Sequence, residues 1–406
     1  MTLQNNNHIL NAFQHILSKY EGKSIKLKQI KVNAACKPGD NFMSDIKKVT
    51  VFSKFGNKRW HLIMKKQIPN KTRRKLFGCD KAFLNEIGAY NYIVPELQKY
   101  LVECYIPKSI YAGPSYLNKN EDWIVLENLT VNTFKMMSKL RGLNYLQIIN
   151  VMKMLGNFHA ASISMKLSDS KTFYLIEKSY LTELLFDGSE KNGEIIEKSI
   201  QTAITTLTDD NFESNRNAIL TLRNLSNGKL YQKMCNLINN SKGFMSSVIC
   251  HGDLWVNNIL FKNGKNSLEV KLVDLQTLRC CSPVFDLLYF MFSSVPINLH
   301  KKHLNEFLQI YHESFLASIT FNQAAVTEYE DFKMNFTLES LKREYEKSGI
   351  FGLGIALWLL PMITFDPNFL PNLNCKSFGK VSLKSQLTSE YKIKLIEILD
   401  YLMDKI

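Results

Sequence analysis

The stretch His251-Gly252-Asp253-Leu254-Trp255-Val256-Asn257-Asn258, with Asp274 beyond the next two apolar runs, decides how this chain is read. The runs Ile259-Leu260-Phe261 and Val270-Lys271-Leu272-Val273 flank Asn263-Gly264, a hairpin signal. A hairpin returns Asn258 and Asp274 to the same end, where they join Asp253. Phosphoryl transfer asks for little more. It needs a carboxylate that orients or deprotonates the attacking hydroxyl, and hard oxygen ligands that hold Mg²⁺ against the phosphates. On this reading Asp253 is the base, and Asn258 and Asp274 are the metal ligands. At a usage of roughly 5% per residue, four fixed positions recur by chance on the order of 10⁻⁵ per start. The pattern therefore needs support elsewhere in the chain. His251 and Asp286, the latter in Ser282-Pro283-Val284-Phe285-Asp286-Leu287-Leu288, are expected to brace the loop by hydrogen bonds, because the reacting carboxylate is already supplied.

Upstream, residues 25–66 are strand-rich. One apolar stretch ends near Cys36, a second covers 46–52, and a third covers 60–66 after a Gly56-Asn57 turn. Successive hairpins predict a small antiparallel sheet. Between the first two strands lies Gly39-Asp40-Asn41-Phe42-Met43-Ser44, a turn able to aim backbone N–H groups at phosphate oxygens. It lacks the repeated glycines of a GxGxxG loop. On the third strand Lys65 shares a face with His61 and Ile63, whereas Lys66 shares the other with Trp60, Leu62 and Met64. Periodicity leaves the choice between the two lysines open. A phosphate-binding lysine wants a carboxylate partner. Glu86 offers one, on a helix marked by Phe83, Glu86, Ile87 and Tyr90 at i, i+3, i+4 and i+7. Pro95 is expected to end or bend that helix. A strand over 123–126 then runs into Glu127-Asn128-Leu129. It would connect two lobes, and its backbone would read the adenine edge.

Beyond residue 130 the pattern is helical, strongly so over 151–164 and again from 300 to 406. Strands followed by helices argue an α+β fold. A nucleotide-gripping lobe with its hinge is expected over 1–129. A helical lobe with the catalytic hairpin and acceptor pocket is expected over 130–406. The chain has 406 residues, 45% hydrophobic and 22% charged, enough to bury a sizeable core. Its eight cysteines form no CxxC pair, which speaks against zinc and for free thiols in a reducing cytoplasm. The apolar run over 350–363 is interrupted by Gly352, Gly354 and Pro361. It falls short of the ~20 residues that span a bilayer, so it reads as a buried helix. The net charge is +14, but the basic residues are scattered. Their one dense cluster, Lys71-Thr72-Arg73-Arg74-Lys75, reads as a solvated helix start. No nucleic-acid partner is expected.

With Leu155-Gly156-Asn157-Phe158-His159-Ala160-Ala161-Ser162, Val125 to Leu129 and Val273-Asp274-Leu275-Gln276 added to the stretches above, the chain resembles the insect ecdysteroid kinase-like, or CHK kinase-like, proteins. These are relatives of choline kinases and aminoglycoside phosphotransferases. The resemblance spans roughly residues 25–400. It implies a bilobal, protein-kinase-like fold of the aminoglycoside phosphotransferase type, with a helical insertion over 165–245 that helps form the acceptor pocket. It implies ATP and Mg²⁺, with Lys65 as the phosphate lysine and Glu86 as its partner. Asn41, Phe42, Met43, Ser44, Glu127 and Leu129 would complete the nucleotide site. Three features depart from the family's pattern: Asp274-Leu275-Gln276 in place of Asp-Phe-Gln, Glu127-Asn128 in place of Glu-Asp, and an extra residue between Lys65 and Pro69. None removes a catalytic group.

The implied acceptor is an ecdysteroid or a hydroxylated foreign compound. A basic chain disfavours cationic acceptors at long range. Phe173-Tyr174-Leu175, Leu184-Leu185-Phe186 and residues 351–360 offer candidate apolar walls. Two alternatives stand beside this reading: a catalytically silent binder of a lipophilic ligand, and a choline-kinase-like enzyme. A protein kinase is disfavoured, because no Ala-Pro-Glu segment follows Asp274 and Ser282-Pro283 comes too soon for an activation loop.

Overall fold

The computed structural model describes residues 3–35, 44–68, 74, 78–117, 121–211, 213–243, 246–264, 267–364 and 389–402. Its N-terminal region begins with helix α1 (Leu3–Glu21) and is built on strands β1 (Leu27–Ala34), β2 (Ser44–Ser53), β3 (Arg59–Gln67), β4 (Ser109–Pro114) and β5 (Asp122–Glu127). They form one antiparallel sheet in the order β1-β2-β3-β5-β4. Side chains alternate between faces along each strand. Trp60, Leu62 and Met64 of β3 therefore join Val49 and Val51 of β2 and Trp123 and Val125 of β5 on one buried face. Phe13, Ile16 and Leu17 of α1 cover that face. The opposite face carries Lys65.

Helix α2 (Cys79–Gly88) runs through a π-turn (Ala89–Ile93) into one more helical turn (Val94–Leu97). Pro95 does not end it. The proline sits in the first turn of that last piece, where its missing N–H costs little, and the π-turn before it takes up the change in pitch.

The C-terminal region is mostly helical: α3 (Tyr145–Ser168), α4 (Ser170–Tyr180), α5 (Glu190–Asn211), α6 (Arg216–Leu225), α7 (Lys229–Asn240), α8 (Val284–Ser293), α9 (Ile297–Ser318), α10 (Val326–Asn335), α11 (Leu338–Lys347), α12 (Gly349–Thr364) and α13 (Ser389–Leu402). Asn144 and Gln147 close a capping box at the start of α3. Gly156 lets α3 lie directly on α9, since a Cβ there would stand 2.7 Å from Phe315 N and Tyr311 O. Two small sheets are embedded among the helices. One pairs β6 (Lys135–Met136) with β8 (Ile259–Asn263) and β9 (Leu268–Leu272). The other pairs β7 (Val248–Cys250) with β10 (Arg279–Cys281). The β8–β9 hairpin matches the sequence expectation, and the whole is the α+β arrangement predicted from element order.

Helix α12 is apolar on all sides and mostly buried; Met362 is exposed, and Gly349, Ile350 and Trp358 are partly so. Phe173 and Phe186 belong to the same core. Most of the expected apolar pocket walls are therefore core: only Tyr174 and Leu175 are exposed, while Leu184 and Leu185 are half-buried. Among the described residues no single helix is long and apolar enough to cross a membrane. The pair α11–α12, bent by 56°, passes only on length and composition, and α12 is already covered by protein.

Candidate active site

The loop that carries Asp253 leaves β7 at His251, and its backbone is held from several sides. Asp286, in the first turn of α8, accepts hydrogen bonds from His251 N at 2.6 Å and Gly252 N at 2.9 Å. His159 Nε2 lies 3.2 Å from the same carboxylate, and its Nδ1 meets the Tyr311 hydroxyl at 2.9 Å. Burial alone would raise the Asp286 pKa. His159 and the Gly252 N–H outweigh it, and the carboxyl sits below its ordinary value. Thr277 Oγ1 donates to His251 O at 3.1 Å, and Arg279 Nη2 donates to Gly252 O at 2.8 Å. Gly252 has φ +81, and a Cβ there would stand 2.1 Å from Thr277 O, so only glycine fits. The His251 ring spans Val273 O (Nε2, 3.0 Å) and the Asp253 N–H (Nδ1, 3.3 Å). One ring nitrogen therefore donates and the other accepts, which assigns a neutral imidazole protonated on Nε2. His251 braces the loop and has no nitrogen left over for proton transfer.

Asp253 is half-buried, and both of its oxygens are engaged. Oδ1 accepts from the Tyr289 hydroxyl at 2.5 Å and Oδ2 from Asn258 Nδ2 at 3.0 Å. Asn258 Nδ2 also donates to Asp253 O at 2.8 Å. The amide nitrogen of Asn258 is thus committed to Asp253, which leaves its oxygen for a cation. Burial raises the Asp253 pKa. The hydrogen bond from Tyr289 opposes that rise, and the nearby charge of Asp274 adds to it. Sequence reasoning missed Tyr289. The available signal was its i+3 spacing from Asp286 on α8, which puts both on one helix face.

Lys65 is buried, 4% exposed, between two carboxylates. Its Nζ lies 2.5 Å from Glu86 Oε2 and 2.6 Å from Asp274 Oδ1. Lys66 turns the other way, toward Asp45 at 3.6 Å. Burial would lower the Lys65 pKa, but Asp274 and Glu86 reverse that and hold it above the lysine range. Glu86 is pushed up to about 7, because burial and the charge of Asp274 outweigh the pull of the shared lysine. Asp274 has φ +67, an uncommon conformation for a residue with a side chain and one that stores strain. Asn85, beside Glu86, donates to Gln276 O at 3.2 Å and Thr182 O at 2.9 Å. That one amide ties α2 to the segment after Asp274 and to the loop between α4 and α5. Glu183 of the same loop pairs with Arg279 at 3.3 Å.

Lys65, Glu86, Asp253, Asn258 and Asp274 thus converge where the sheet region meets the helical region, with one ammonium group against three carboxylates. Surplus negative charge with hard oxygen donors fits a divalent cation such as Mg²⁺. Ser44 is buried at the start of β2, opposite Gln67. Asn41, Phe42 and Met43 lie outside the described residues. The Glu127 side chain accepts from Lys108 N at 2.8 Å, Glu127 N donates to Lys108 O, and Asn128 N donates to His61 O. The N–H groups of Glu127 and Asn128 are therefore spent within the protein. Leu129 packs with Phe134, Leu260 and Val273 into a small apolar cluster.

The profile of the ecdysteroid kinase-like family matches residues 38–321 of the chain. No curated protein matches it in sequence. Among solved structures it is similar to Plasmodium vivax ethanolamine kinase, at 12% identity over 93% of this chain and 83% of that one, with a TM-score of 0.44. It is similar to an aminoglycoside 2′-phosphotransferase-IIIa in its GDP complex, at 12% identity over 98% and 99%, with a TM-score of 0.42. It is similar also to a choline kinase of Streptococcus pneumoniae, at 15% identity over 88% and 99%, with a TM-score of 0.36.

Proposed function

Since the chain belongs to the ecdysteroid kinase-like family, we propose that it is an ATP- and Mg²⁺-dependent kinase that phosphorylates a hydroxyl on a neutral, largely apolar acceptor. An ecdysteroid or a hydroxylated foreign compound fits that description. The observation that carries this reading is the buried Lys65 shared by Glu86 and Asp274, next to an Asp253 oriented by Tyr289 and Asn258.

Asp253 receives the acceptor's proton as the acceptor oxygen bonds to the γ-phosphorus; the bond to the β-phosphate oxygen breaks and ADP leaves. The upward shift of the Asp253 pKa makes it a better proton acceptor, while Tyr289 and Asn258 keep its carboxylate aimed. Lys65, steadied by Glu86, turns its ammonium to the nucleotide phosphates. Bound Mg²⁺, held by the Asn258 amide oxygen and the Asp274 carboxylate, would neutralise phosphate charge. Residues 1–129 act as the nucleotide-gripping lobe, with Ser44, Glu127 and Leu129 on the nucleotide side. Residues 130–406 supply the catalytic loop and the acceptor side. The loop over 181–189, tied through Thr182 to Asn85 of α2 and through Glu183 to Arg279 of β10, brings half-buried Leu184 and Leu185 to that side. The apolar side chains of Leu184 and Leu185 and the net charge of +14 favour a neutral acceptor over a cation. A cytoplasmic setting fits the six free cysteines among the described residues.

The test is incubation with ATP, Mg²⁺ and a panel of ecdysteroids, phenols, choline, ethanolamine and kanamycin, with mass spectrometry for an added phosphate. Phosphate on choline or kanamycin and on no steroid or phenol overturns the acceptor class and leaves a kinase. ATP binding with transfer to no acceptor, in a protein of intact fold, favours a silent binder.

A further inference from the structure

Lysines that are scattered along the sequence converge at one end of the N-terminal sheet. Ser53 N donates to Lys58 O at 3.1 Å and closes the loop Lys54-Phe55-Gly56-Asn57 at the tip of the β2–β3 hairpin. Ser53 Oγ donates to Phe55 O at 2.7 Å and accepts from Phe55 N at 3.2 Å. Lys54 N donates to Lys26 O at 2.7 Å, which staples the tip to the start of β1. Gly56, at φ +72, turns the chain. The backbone of Phe55 is thus fixed, yet its side chain is 70% exposed. Nothing in this turn chemistry calls for an aromatic residue. Around it stand Lys23, Lys26, Lys28, Lys54, Lys58 and Arg59. The nearby carboxylate Glu21 is already bonded to Lys58 at 2.7 Å and to Trp60 Nε1 at 3.0 Å. Tyr20, next to Glu21, is 45% exposed.

We propose that this end of the sheet docks on an anionic lipid bilayer, with Phe55 entering the headgroup–acyl boundary and the surrounding cations facing anionic headgroups. The arrangement favours a bilayer over an acidic protein. It is a projecting tip with an aromatic apex and a basic rim, not a groove, and a bilayer presents an apolar layer beneath a negatively charged one. Arg59 and Lys65 lie near opposite ends of β3, separated by about 20 Å at the usual strand rise. Docking at the tip therefore leaves the phosphate end of the sheet uncovered. The inference does not depend on the phosphotransferase reading.

The test is co-sedimentation of the whole protein with phosphatidylcholine vesicles, with and without phosphatidylserine, at low and at physiological salt. Binding is expected only with phosphatidylserine, and it weakens as salt rises. Each basic residue near such a surface contributes about fivefold to binding, so Lys26→Glu with Lys54→Glu should lower it by about 25-fold or more. Phe55→Ser should lower it by about tenfold through lost apolar burial, with the thermal midpoint unchanged. The proposal is overturned by absence of binding to phosphatidylserine vesicles, or by binding that Phe55→Ser leaves intact. It is equally overturned if polyglutamate or duplex DNA binds as tightly as the vesicles do, which would make the patch a general polyanion or acidic-protein site.

Discussion

Replacing Lys65 by methionine should damage the protein twice, and the two effects can be separated. Lys65 is the cation between Glu86, which is 1% exposed, and Asp274. Removing it leaves an uncompensated charge in the interior, which typically costs ~3–5 kcal/mol. Lys66 is partly exposed and 3.6 Å from Asp45, so Lys66→Met should cost no more than ~1 kcal/mol. The defect should also depend on pH. Glu86 is already raised from 4.5 to about 7, so the folded state holds its proton more tightly than the unfolded chain does. A group raised in this way contributes stability that is complete below its unfolded value and is lost as pH rises through the folded one. Without Lys65 the Glu86 carboxyl is raised further, and the variant should be least stable from neutral pH upward and recover toward about pH 5. Adding Glu86→Gln should restore most of the stability, because it removes the orphaned charge. It should not restore the nucleotide, because the charged hydrogen bond from Lys65, worth ~1.5–3 kcal/mol, is still missing. Nucleotide affinity should then stay about 10- to 150-fold below wild type. Urea denaturation across that pH range and calorimetric titration with MgATP read the two quantities independently. Equal stability of the Lys65→Met and Lys66→Met proteins, or normal nucleotide affinity in the double variant, would refute this account of the site.

Asp253→Asn should retain MgATP binding and lose roughly 10²–10⁴-fold in turnover on the true acceptor; a wild-type rate in single-turnover kinetics sinks the base assignment. Asp274→Ala should abolish the Mg²⁺ dependence of ATP binding and Asn258→Ala should weaken it, so titrations with and without the metal that look alike in Asp274→Ala contradict the ligand reading. Tyr289→Phe should lower kcat by roughly tenfold while leaving the KM for ATP in place, since it removes one hydrogen bond to a charged group, worth ~1.5 kcal/mol or more; a change confined to KM for ATP would argue against positioning. Burial lowers Lys166 from 10.5 to about 8, between Ser247 O at 2.5 Å and the Phe173 ring at 4.3 Å. Above about pH 8 the unfolded chain then holds a proton the native state has released, so this lysine adds about 3 kcal/mol of stability as pH rises toward 10.5. Comparing the pH slopes of wild type and Lys166→Met isolates that contribution, and parallel slopes would show that it is absent.

Local rules made much of this protein readable from its residues. Strand alternation, the turns at Gly56-Asn57 and Asn263-Gly264, and the helix carrying Glu86 depend on neighbours a few positions apart. They yielded the α+β order and the grouping of Asn258 with Asp274 at one end of a hairpin. The remainder depends on elements far apart in the chain. Lys65 and Lys66 have equivalent local patterns; which one meets Glu86 was settled by the docking of α2 against one face of the sheet. The hydroxyl of Tyr289 reaches Asp253 only because Asp286 on the same helix clamps the catalytic loop. An apolar run such as 351–360 looks the same whether it lines a pocket or fills a core, and only packing against Phe292, Phe186 and Met234 assigned it to the core. Lys23, Lys26, Lys28, Lys54, Lys58 and Arg59 carry no pattern along the chain. Strand pairing gathered them around Phe55, because charge separation in space is set by register and not by sequence distance.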